Sequence, residues 1–113
     1  TFSQAEIAAA VAAAHDAGRP VAVHANTAEA MRRASAAGVD VIEHGSEGDA
    51  ATFALMAKNR TVLCPTLAAG DAIARLSGWN GEEPAPADVQ QDRGAFQLAL
   101  KAGVPICMGG DVG

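Results

Sequence analysis

The chain has 113 residues, half of them apolar, which suits one packed unit with a core of its own. Much of that apolar content is alanine and only Phe2, Phe53, Trp79 and Phe96 are aromatic, so the core is expected to be helices set closely on a sheet. The formal net charge is −5 and the eight basic residues are scattered, which excludes the basic stripe of a nucleic-acid surface.

Ser3-Gln4-Ala5-Glu6 has the form of a capping box, and a helix is expected to run on to residue 17, with Gly18 as its stop. The run 19–24 (RPVAVH) reads as a strand buried on both faces, because alternation is absent. The pattern then repeats. Thr27 can cap a helix to residue 37, Gly38 stops it, and 39–44 (VDVIEH) is the second strand. Asp49 can cap a third helix to residue 58, Asn59 stops it, and 61–64 (TVLC) is the third strand. Strand cores at 21–24, 41–44 and 61–64 keep a step of 20 residues. A short helix over 68–76 follows, then a loop over 77–87 that holds Trp79 among glycines, prolines and acids. A long helix over 86–102, stopped by Gly103, leads to a fourth strand at 104–108 and then to Gly109-Gly110-Asp111.

Strands alternating with helices imply an α/β fold with a parallel sheet and right-handed crossovers. Four such units suit half of a (β/α)8 barrel or a small open sheet. A whole barrel takes roughly 250 residues, so residues 1–113 are expected to be a single fragment of a longer protein. Every apolar stretch is broken well before about 18 residues, so no membrane span is expected. No signal peptide is visible, and a cytoplasmic location is expected. Cys64 and Cys107 read as buried free thiols.

Ligands and catalysis in parallel α/β folds gather at the C-terminal ends of the strands. His24 follows Gly18 by six residues, His44 follows Gly38 by six, and Asp111 follows Gly103 by eight. Two imidazoles and a carboxylate therefore share one rim, a donor set suited to zinc and similar divalent ions. His15, alone in a helix, reads as packing or solvent. Glu43 is expected to point to the helix side, opposite His44, and Cys64 to be structural. Trp79, on the rim loop, is a candidate for substrate contact, and so is Thr66.

The carrying segments are 18–25 (GRPVAVHA), 37–45 (AGVDVIEHG), 65–67 (PTL) and 102–111 (AGVPICMGGD). With them the chain resembles the amidohydrolase superfamily, in the branch of imidazolonepropionase-like enzymes, Xaa-Pro dipeptidases and zinc carboxypeptidases. The resemblance implies a partial TIM barrel, strands 5–8, the C-terminal half of a catalytic barrel. It implies metal ligation by His24, His44 and Asp111, with Asp111 also moving the proton. It implies one or two zinc ions in the intact parent and hydrolysis of a C–N bond in an amide, cyclic amide or dipeptide. The family's His-x-His and its strand-4 lysine are absent, and Gly109-Gly110-Asp111 replaces the commoner Gly-Thr-Asp or Gly-Ser-Asp. The isolated fragment is accordingly expected to be inactive, to require the other half of the barrel as its partner, and to be compatible with a homo-oligomer. Two other readings stand beside it. A non-hydrolytic barrel enzyme of aldolase or isomerase type would want a phosphate loop and a strand-end lysine. A small open-sheet binding module would want an aspartate-rich first strand end.

Overall fold

A computed structural model describes residues 2–111. The order is α1 (Gln4–Asp16), β1 (Ala22–Thr27), α2 (Ala28–Ala36), β2 (Val41–Glu47), α3 (Ala50–Asn59), β3 (Val62–Cys64), α4 (Leu67–Leu76) and α5 (Ala87–Ala102). The strands form a parallel sheet in the order β1-β2-β3. The fold is α/β, as expected.

The caps fall where the sequence put them. Ser3 Oγ accepts from Glu6 N–H, Thr27 Oγ1 from Ala30 N–H and Asp49 Oδ1 from Thr52 N–H. One stop moves by a residue: α3 includes Asn59, and Arg60 takes the left-handed turn at φ 58°. The fourth strand is a correction. Residues 104–108 contribute a single parallel bridge, Leu63 to Ile106, with Leu63 N–H donating to Pro105 O and Cys107 N–H to Leu63 O. Pro105 has no N–H to extend the ladder, and the backbone then passes over Glu43 and Thr66 at Gly109.

The register sorts the sheet into two faces. Ala25, Ile42 and Leu63 pack on the helix side with Met31, Ala34, Phe53, Met56, Ala95, Ala99 and Val104. Phe53, Met31, Met56 and Ile42 are fully buried, each contributing about 1.5–3 kcal/mol by removal from water. The other face carries the cross-strand rows Ala22–Val41–Val62 and His24–Glu43–Cys64. Val41 and Val62 remain half-buried there.

Cys64 and Cys107 are not free thiols but a disulfide, with Cα atoms 4.7 Å apart. The bridge at Ile106 sets Cys107 beside the end of β3, a neighbourhood that a separation of 43 residues does not reveal. His15 also has a partner: its Nε2 lies 2.8 Å from Asp40 Oδ2, and the same oxygen accepts from Val21 N–H at 2.7 Å. Asp40 thereby ties α1 to the starts of β1 and β2. Among the described residues no helix is long and apolar enough to cross a membrane.

Candidate metal and hydrolytic site

His24, His44 and Thr66, three of the candidate site residues, reach one another through hydrogen bonds. His24 Nδ1 lies 2.8 Å from His44 Nε2, and the two rings stack with centroids 4.9 Å apart. His44 Nδ1 lies 2.7 Å from Thr66 Oγ1. Asp111 approaches from the far end of the chain, its Oδ2 at 3.9 Å from His44 Nε2. The His44 side chain is 19% exposed and that of Asp111 50%, so the cluster is open on the Asp111 side.

Simple alternation along β2 would put His44 opposite Glu43 and opposite His24. His24 pairs with Glu43 in register, whereas His44 pairs with the helix-facing Ala25. His44 escapes that face through its backbone, at φ 76°, followed by Gly45 at φ 67°. Glu43, expected towards the helices, instead lines a cleft with Ala22, His24, Gly109 and Asp111. Alternation counted from His44 puts Glu43 on the helix side, whereas it is His24, paired with Glu43 in register, that marks the inner face.

Backbone strain gathers here. Four non-glycine described residues have positive φ: His44, Arg60, Thr66 and Asp111. Arg60 closes a helix, and the other three belong to the cluster around His24. Such conformations cost on the order of 1–3 kcal/mol each and persist where the surroundings impose them, most often at functional sites. Thr66 adds a second oddity. It occupies the N-cap position of α4, yet its side chain caps nothing and turns to His44.

Trp79 stands apart. It lies 5.3 Å from the Arg75 guanidinium and 5.9 Å from that of Arg93, and its Nε1–H donates to Glu82 O at 2.8 Å. It does not line the cleft beside His24 and Asp111. Arg93 in turn pairs with Glu83 at 2.6 Å and holds that carboxyl below its ordinary range.

The donor chemistry, two imidazoles and a carboxylate, fits a divalent ion. Zinc–nitrogen bonds of about 2.0–2.1 Å in tetrahedral geometry keep two ligand nitrogens roughly 3.3 Å apart, so binding requires the rings to part by about half an ångström. No group of three His, Cys, Asp or Glu side chains among the described residues stands in a metal-holding arrangement.

No protein-family model matches the chain. An uncharacterized protein of Mycobacterium tuberculosis is 34% identical over 110 residues, which is 93% of this chain and 30% of that protein. A crystal structure of an Xaa-Pro dipeptidase with methionine bound in its active site is 39% identical, with a TM-score of 0.85, and is matched over 99% of this chain and 29% of its own. A crystal structure of an amidohydrolase is 35% identical, with a TM-score of 0.81, over 98% of this chain and 28% of its own. The resemblance to amidohydrolases and Xaa-Pro dipeptidases therefore holds in fold as well as in sequence. The chain spans about 30% of the length of the curated relatives it matches.

Proposed function

We propose that the chain is the C-terminal part, strands 5–8, of the catalytic barrel of a metal-dependent amidohydrolase that cleaves a C–N bond in an amide, cyclic amide or dipeptide. The observation that carries the reading is the meeting of His24 and His44 at 2.8 Å with Asp111 beside them, at the strand ends of a parallel sheet. The helix-free face supports it as well: half-buried Val41 and Val62 suit a surface that further barrel strands cover. Likeness to an Xaa-Pro dipeptidase favours a dipeptide among the possible substrates.

In this reading His24 and His44 hold the ion, zinc in first place, and Asp111 completes their side of the shell. A zinc held there would lower the pKa of its water to about 7 and act as a Lewis acid towards the scissile carbonyl. Asp111 takes the proton of the attacking water and returns it to the departing nitrogen. Its half-exposed carboxylate lies on the open side of the cluster, where substrate can enter. Glu43 adds a second carboxylate to the cleft wall beside His24.

The test is metal content and turnover of the full-length protein against a panel of Xaa-Pro dipeptides and cyclic amides. Zinc at one or two ions per chain, with hydrolysis lost on chelation and regained on zinc, is expected. The 113-residue chain alone is expected to bind zinc poorly and to hydrolyse nothing. Undiminished turnover after complete metal removal would overturn the proposal.

A further inference from the structure

We infer that Thr66 is the positioning residue for His44: its hydroxyl accepts the Nδ1 proton of that ring and so leaves the Nε2 lone pair aimed at His24 and Asp111. The contact is short, 2.7 Å, and Thr66 is 6% exposed, so water does not compete well for either atom. A threonine at a helix N-cap ordinarily accepts from a backbone N–H of the first turn. Thr66 gives up that bond, and a left-handed backbone at φ 49° turns its side chain away from the helix. A β-branched residue rarely takes that conformation. Both sacrifices serve the contact with His44.

The neighbours of Thr66 keep it in place. Its carbonyl accepts from Ala69 N–H at 3.0 Å, which anchors the residue to α4. A Cβ at Gly109 would stand 3.4 Å from Thr66 Cγ2 and 3.3 Å from Glu43 Oε2, so the backbone leading to Asp111 lies against Thr66. Thr66 thus touches both the ring it orients and the segment that delivers the carboxylate. An imidazole with Nδ1–H engaged can offer only Nε2 to an ion, and loss of such an orienting partner typically costs 10–100-fold in metal affinity.

Two measurements test the assignment, and only the second rests on the proposed metal site. In the metal-free full-length protein, long-range proton–nitrogen NMR at alkaline pH reads which nitrogen of His44 carries the proton. The wild type is expected to hold it on Nδ1, Thr66→Val to move it towards Nε2, and Thr66→Ser to restore it. A proton on Nε2 in the wild type, or a tautomer unchanged by Thr66→Val, overturns the assignment. In the full-length protein, zinc affinity by chelator competition is expected to fall 10–100-fold in Thr66→Val and to stay within threefold of wild type in Thr66→Ser. Equal affinity in Thr66→Val and wild type overturns it too. A wild type that binds no zinc sinks the metal reading instead, and the tautomer still decides the role of Thr66.

Discussion

His24 Nδ1 and His44 Nε2 meet at 2.8 Å although they stand on neighbouring strands whose register pairs His24 with Glu43 and not with His44. The meeting depends on the turn of the chain at His44 and Gly45, both with positive φ. Two consecutive left-handed residues interrupt the regular course of β2, where the register with β1 shifts, and bring the second imidazole round to the first.

Gly45 should therefore not tolerate a side chain. A Cβ there would stand 2.7 Å from Leu63 Cδ1 and 3.1 Å from Met31 Cε, both in the core, at a φ that only glycine takes freely. Gly45→Ala is expected to lower stability by about 1–3 kcal/mol, read as a lower urea midpoint with an unchanged slope. An unchanged midpoint would mean that the turn is not rigid.

Phe53 is the largest fully buried side chain and packs under Gly48, so its removal leaves a cavity that the helices cannot readily fill. Phe53→Ala should cost about 3–5 kcal/mol, a large share of the roughly 5–15 kcal/mol that holds an ordinary domain folded. Thermal unfolding followed by circular dichroism checks this, and a shift of only a degree or two would contradict it.

Asp40 makes stability depend on acid. Its hydrogen bond from His15 and then that from Val21 N–H hold its carboxyl below the ordinary aspartate range. A depressed folded value means that the stabilisation is complete above the unfolded value of about 3.9 and is lost as pH falls from there through the lower folded value. The pair is about two-fifths exposed, so solvent screening limits the effect to about 1 kcal/mol or less. Asp40→Asn should lower stability at neutral pH and flatten the decline below pH of about 4 in acid titrations of the urea midpoint.

Much of this was legible in the sequence, and the exceptions have physical causes. Ser3, Thr27 and Asp49 cap helices as expected because a cap is a local hydrogen bond, readable from neighbouring residues. The 20-residue step located three strands because helix stops and apolar runs are local too. The fourth strand shrank to one bridge because ladder formation depends on what lies alongside, as does the pairing of Cys64 with Cys107. Glu43 was assigned to the wrong face because period-2 alternation fails at a left-handed residue, and nothing in the run VIEHG marks His44 rather than Gly45 alone as left-handed. Thr66 stood out only through its family-like Pro-Thr-Leu segment; its bond to His44 spans 22 positions.

The most direct measurement is zinc bound per chain in the full-length protein and in its His24→Ala, His44→Ala and Asp111→Asn variants, each confirmed folded by circular dichroism. The account predicts that both histidine variants lose tightly bound zinc, in whole or by one ion, and that Asp111→Asn keeps more metal than either while losing turnover. Wild-type zinc content in His24→Ala and His44→Ala would contradict it.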